Sequence, residues 1–226
     1  MELSEFISKH QIIISPATAE SCKTALEKMS KSEDVLHDLG HIARIFDLLD
    51  EFLINETRVR KDQINFEVLL LAISWHDTWK ATRRDKRFWN LLFSLYYDGI
   101  GSAKIFKKQN KILPIDIFEQ ALFAIARHSP PRLVWYKTLE LKILRDLDGL
   151  EEWSIERLDG LVSQFENNRT AIHRLGRWLK LYFNLVLKKQ KAKKYYFPWP
   201  REVFSERKKV YIVKVNELLK KYQAIL

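Results

Sequence analysis

Apolar positions recur at three- and four-residue intervals along most of this chain, the spacing of one face of a helix. Ser15-Pro16 reads as an N-cap followed by proline at the first helical position, so a helix should run from there to about Met29. A second is expected from about Asp34 into Leu53, carried by Ile42, Ile45, Leu49, Phe52 and Leu53. Phe66 to Trp75 is almost continuously apolar and has the length of either a strand or a buried helix. Its polar lead-in and the lack of a partner strand favour the helix. Lys86 to Tyr97 predicts a short aromatic helix, closed by an Asp98-Gly99-Ile100-Gly101-Ser102 loop. Helices are also expected over Asp116–His128, ending at Pro130-Pro131, over Thr138 to about Trp153, and over Asn168–Lys194 with a stripe of Ile172, Leu175, Leu179, Phe183 and Val186. The run Tyr195 to Pro200 breaks the pattern, and a last helix follows with Tyr211, Val215, Leu218, Tyr222 and Ile225 in near-heptad register. That stripe suits docking on the rest of the chain, or a homodimer seam.

Composition supports an all-α fold. Only 6 Gly and 6 Pro occur in 226 residues, few for the many turns of a sandwich or barrel. Apolar residues at 46% and charged residues at 30% give a globular balance. The single cysteine, Cys22, excludes an internal disulfide framework and a thiolate zinc site. With no signal-type segment and no apolar run long enough to span a bilayer, a cytoplasmic protein without membrane partners is expected. The net charge is +10, and its placement is uneven. Lys180 to Leu226 carries 13 basic against 3 acidic residues, whereas the first 179 carry 26 of each. A second basic stretch, Lys80 to Lys111, has 9 basic residues against Asp85 and Asp98. Both stretches point to anionic partners, and the tail to nucleic acid in particular.

The chemistry shows as titratable groups on apolar faces. At about 100° per residue, His41 falls within the Ile45, Leu49, Phe52 stripe, with His37 one turn earlier on the same face. His76 ends the buried helix in line with Leu69, Ala72 and Ile73, and Asp77 lies next to it. Asp146 flanks the stripe Leu139, Ile143, Leu147, Leu150, while Asp148 falls on the opposite side of that helix. His128 lies on the stripe Phe118, Ala121, Leu122, Ile125. Buried carboxylates are costly unless paired or bound to metal. One cation among these helices accounts for four inward His and two inward Asp together. Imidazole with carboxylate suits a divalent transition metal (Mn, Fe, Co, Ni or Zn), and without thiols the site would be catalytic.

In order along the chain, His41, the pair His76-Asp77 and the distant Asp146 resemble the H…HD…D signature of the HD-domain metal-dependent phosphohydrolase superfamily. His41-Ile42-Ala43-Arg44-Ile45 is similar to its H-x-x-R-V, Trp75 to Lys80 to its H-D-x-G-K, and Arg145 to Leu150 to its D-A-D-x-L. The match runs from about Asp34 to Trp153. Trp79 stands where the family has Gly, and Leu147 where it has a small residue; both lie beside ligands and alter the pocket. The resemblance implies one HD-type helical domain over residues 1–194, with 80–113 as a basic and aromatic insertion and 195–226 as a basic C-terminal helix packed on it. It implies His41, His76, Asp77 and Asp146 as metal ligands, with Asp148 the competitor for the last place, and Lys80 as a contact to a substrate phosphate or to Asp77. Two-metal branches carry two further His between the HD pair and the last Asp. Only His128 lies in that interval, which favours one ion. His37 is weakly similar to the proton-donating His of the cyclic-nucleotide phosphodiesterases.

The expected reaction is metal-dependent hydrolysis of a phosphate ester or anhydride on a small, nucleotide-type substrate. Asp77 would orient or deprotonate water, and His128 or His37 would protonate the leaving oxygen. Lys80, Arg83 and Arg84 would hold phosphate oxygens. The aromatic residues among those cations suit a stacked base. The competing reading is a nucleic-acid-binding or regulatory module on the same scaffold, with the basic tail as its contact surface.

Overall fold

The computed structural model describes residues 1–34, 36–81, 88–129, 137–165, 176–177, 180–181 and 191–223, and every regular element among them is a helix. Local signals set where the helices begin. The Ser15 hydroxyl accepts from the Thr18 N–H at 3.2 Å and starts α2 (Pro16–Met29). Asp38 does the same for α3 (Leu39–Asn55), its Oδ1 accepting from the His41 N–H at 2.9 Å. That cap, not Asp34, begins the helix, and it puts His41 in the first turn. Asn65 caps α4 (Phe66–Trp75) by accepting from the Val68 N–H. Val68 through Trp75 are all buried, so the continuous apolar run is a helix enclosed on all sides. A four-residue helix, α5 (Thr78–Ala81), follows the His76-Asp77 pair.

Two helices lack an expectation from periodicity: α1 (Leu3–His10) and α9 (Ile155–Phe165). The first is two turns long and closes on Gln11 in the left-handed region, φ 53°. Ser154, whose hydroxyl accepts from the Arg157 N–H, is the capping signal that marks the second.

The largest departure is α6, a single helix over Phe88–Gln109 that absorbs the expected Asp98–Ser102 loop. The two glycines there serve close packing, not a turn. A Cβ on Gly99 would lie 2.7 Å from the Ala126 carbonyl oxygen of α7 (Ile115–Arg127), and one on Gly101 would overlap the Trp79 indole. Ser102 is buried on the same side and accepts from the Trp79 N–H at 3.1 Å. Gly101→Ala should therefore cost about 1–3 kcal/mol, the range for overpacking a closed contact. A denaturant midpoint equal to wild type would contradict this packing.

The chain divides by its contacts into two compact units, Met1–Asp148 and Gly149–Leu226. The core of the first gathers Phe6, Phe46, Phe52, Leu69, Ile73, Trp75 and Phe106. Trp75 donates from Nε1 to the Ser21 hydroxyl at 3.0 Å, which satisfies its one polar atom. Most of α8 (Leu139–Glu151) belongs to this unit. In the second unit α10 (Pro198–Gln223) buries Phe204, Tyr211, Val215, Leu218 and Tyr222. Phe204 and Tyr211 pack edge-on against Trp153, each with ring centroids 5.2 Å apart. The Tyr195 hydroxyl donates to the Gly149 carbonyl at 2.8 Å. Of the stripe that also suits a dimer seam, Tyr211, Val215, Leu218 and Tyr222 are buried within the chain, and Ile225 lies outside the described residues. Of the expected 168–194 helix, 176–177 and 180–181 are helical, Ala192–Lys194 form a 3-10 turn after the extended Lys191, and all five residues of its stripe lie outside the described residues. Among the described residues no helix is long and apolar enough to cross a membrane.

Candidate metal centre

Three segments of the first unit bring four side chains together: His41 from the start of α3, His76 and Asp77 from the end of α4, and Asp148 from the last turn of α8. One donor atom from each lies within 4.8 Å of all the others. The Nε2 atoms of His41 and His76 are 3.1 Å apart. Asp77 Oδ2 is 3.6 and 3.5 Å from these two nitrogens, and Asp148 Oδ1 is 3.7 and 3.8 Å from them. A cation about 2.1 Å from each donor requires neighbouring donors about 3.0 Å apart in an octahedron and about 3.4 Å in a tetrahedron. The His41–His76 spacing of 3.1 Å lies in that range and the carboxylate–imidazole spacings of 3.5–3.8 Å lie a little above it, a gap that small side-chain rotations close, so the residues fit a metal ion.

Hydrogen bonding supports the same fit. His76 Nδ1 donates to the Ile73 carbonyl at 2.8 Å, which leaves the Nε2 lone pair facing the cluster. His128 is held alike, with Nδ1 donating to Ile125 O at 2.7 Å. Its Nε2 lies 3.5 Å from Asp77 Oδ1 and 2.9 Å from the Ser129 hydroxyl. His37 Nδ1 is bonded to Asp34 Oδ2 at 2.7 Å, and its Nε2 faces Asp77 Oδ2 at 3.8 Å. Asp77 thus has two sides. Oδ2 meets the imidazoles of His37, His41 and His76, while Oδ1 meets His128 and the Lys80 ammonium, the latter at 2.9 Å.

Charge follows this geometry. Burial disfavours ionised Asp77, yet Lys80 and the surrounding imidazoles hold its carboxyl well below the usual range. Asp148 is likewise opposed by burial and by Asp77, and held ionised by His76 and His41. Burial works against protonated His76, but Asp77 and Asp148 outweigh it and raise its pKa above 6.5. For His128 burial prevails and lowers the pKa. Lys80 is raised by Asp77 and Asp98 against the pull of burial, so it stays charged.

These directions carry a pH dependence. Protonated His76 stabilises the metal-free fold fully below its ordinary pKa of about 6.5, and that contribution fades as pH rises through the raised value. A metal needs the bare Nε2, so protons compete with it until that higher pH. Apparent Mn²⁺ affinity of metal-stripped protein should climb with pH beyond about 6.5 and then level off. Titration calorimetry between about pH 6 and 8.5 checks this, and a pH-independent affinity would contradict it.

The structure brings Asp148, not Asp146, to the donor group. A helical wheel separates inside from outside only when one face is solvated. In α8 the residues Glu140, Leu141, Ile143, Leu144, Arg145, Asp146 and Leu147 are all buried, so there is more than one inward direction. Asp146 occupies another of them, 1% exposed. Asp148 is 24% exposed in its side chain, while the other three donors are at 0–2%. Arg83 and Arg84 lie outside the described residues.

Asp98 has no place in the expected site, because its segment reads as a loop. In α6 it is 1% exposed, with Oδ2 3.3 Å from Lys80 Nζ. An Asp set among the apolar residues of a helix is the signal that, read as helix, would have revealed it.

Comparison with family models, curated proteins and solved structures gives no match. The chain is therefore defined by its helical fold and by a His/Asp cluster that can hold a metal ion.

Proposed function

We propose that the chain is an HD-type metal-dependent phosphohydrolase, cleaving a phosphate ester or anhydride on a small, nucleotide-type substrate. The observation that carries the reading is the convergence of His41, His76, Asp77 and Asp148 on one point. A divalent transition metal held by these four supplies charge to offset a phosphate group and lowers the pKa of bound water toward neutrality. The open direction of the site is the partly exposed Asp148 side.

The chain's own groups divide the remaining work. Lys80 stays charged and fixes Asp77 through Oδ1, which keeps Oδ2 turned to the imidazoles. His128 has its Nδ1–H committed to Ile125 and a lowered pKa, so at neutral pH its Nε2 is a proton acceptor. This favours His128 for taking a proton from the attacking water over protonating the leaving oxygen. His37, bonded to Asp34 and facing Asp77, is then the group that, in its protonated form, gives its own proton to the leaving oxygen, while the water's proton stays on His128. Arg83 and Arg84 remain proposed phosphate contacts on their charge alone.

The test is elemental analysis of purified protein followed by a phosphate-release screen over nucleotides with added Mn²⁺. Metal near one equivalent and release from a subset of nucleotides is the expected result. Stoichiometric metal with no release from any phosphate ester would overturn the hydrolase reading.

A second reading is supported by charge. Residues 149–226 carry 17 basic against 8 acidic side chains, so this unit holds +9 of the total +10. That excess supports nucleic-acid binding by the second unit, whose signature would be affinity falling steeply with salt.

A further inference from the structure

Lys80 sits between two carboxylates from different parts of the chain. Its Nζ is 2.9 Å from Asp77 Oδ1 and 3.3 Å from Asp98 Oδ2. Asp77 belongs to the donor group, whereas Asp98 stands one residue before Gly99 on α6. The place of Asp98 is set by close packing on both sides. Gly99 lets α6 approach the α7 backbone at Ala126, and Gly101 admits the Trp79 indole, next in sequence to Lys80. A helix seated this tightly cannot slide to re-aim a carboxylate. Asp98 is also buried, so water does not compete for the ammonium there.

From this we infer that Asp98 is a positioning residue for the metal centre, acting through Lys80. An ammonium beside a donor carboxylate competes with a cation for that carboxylate. Asp98 shares the ammonium and confines it to the Oδ1 side of Asp77, which leaves Oδ2 to face His41 and His76. With Asp98 neutral, the ammonium would bear on Asp77 and Asp148 with no other acidic residue in the α6 sequence to draw it back, and a cation would bind less well. The inference rests on the metal-centre part of the proposed function and is independent of which bond is hydrolysed.

A double-mutant cycle on the full chain tests it, read as Mn²⁺ affinity of metal-stripped protein by titration calorimetry. Asp98→Asn should weaken Mn²⁺ binding about tenfold, as the loss of a group supporting a ligand does. In a Lys80→Met background the same change should shift affinity by less than about twofold, because the residue it acts through is gone. Asp98→Glu keeps the charge and should recover most of the loss; if Asp98→Asn does not fold, Asp98→Ser replaces it in both backgrounds. An equal loss in the two backgrounds would show a merely structural role and overturn the inference, as would Asp98→Asn binding like wild type. Wild type that takes up no Mn²⁺ would overturn this inference and the metal centre together, whereas Mn²⁺ binding without phosphate release would sink only the hydrolase reading.

Discussion

Asp77→Ala should empty the metal centre and abolish phosphate release. The change removes a donor, the partner of Lys80 and the carboxylate that faces the four imidazoles of His37, His41, His76 and His128. Loss of a group that merely supports a ligand costs about 10–100-fold in metal affinity or activity, so loss of Asp77 should exceed that range. Stability should fall as well, by about 1.5–3 kcal/mol, because Lys80 loses its nearer anion and keeps only Asp98. Asp77→Asn separates the two effects, since it keeps the shape and removes the charge. Metal content by plasma emission, denaturant midpoint and turnover are the three measurements. Full turnover in a folded Asp77→Ala protein would end the proposed mechanism.

The second large effect distinguishes two neighbours on α8. Asp148→Ala should weaken metal binding by about 10–100-fold or more, whereas Asp146→Asn should retain the metal. The metal-free Asp148 variant should lose stability chiefly at low pH, where protonated His76 is deprived of one of its two carboxylates. What should disappear is the rise in melting temperature on adding metal, which reports binding to the folded state alone. The reverse pattern, with Asp146 needed for metal and Asp148 dispensable, would move the fourth donor back to the position that the helical wheel favours.

Much of this site can be read from spacing, and the exceptions have physical causes. His41 and the His76-Asp77 pair are legible because each is a polar group interrupting an otherwise apolar helical face, and such a group needs a reason to be buried. The choice between Asp146 and Asp148 is not legible, since it turns on which direction an almost wholly buried helix presents to one particular point. Asp98 is hidden by its two glycine neighbours. Glycine within a few residues of Asp and Ser has the composition of a turn, yet here it marks the place where α6 meets α7 and Trp79 without room for a Cβ. The fold class follows from composition and periodicity together. The short α1 escapes because it spans only two turns, whereas α9 carries Ile155, Leu158, Val162 and Phe165 at helical spacing behind its Ser154 cap and is legible in principle.

The uneven exposure of the four donors bears on how fast an ion can exchange. His41, His76 and Asp77 are closed to water, and Asp148 alone forms a partly open rim. An incoming ion would shed part of its hydration shell at Asp148 before it reaches the imidazoles. Departure would run the same way in reverse, with the Asp148 carboxylate the last hold to be released. Such an arrangement makes the residence time of the ion a property of one side chain, and a chelator would draw the metal out at a rate set by how often that carboxylate swings away.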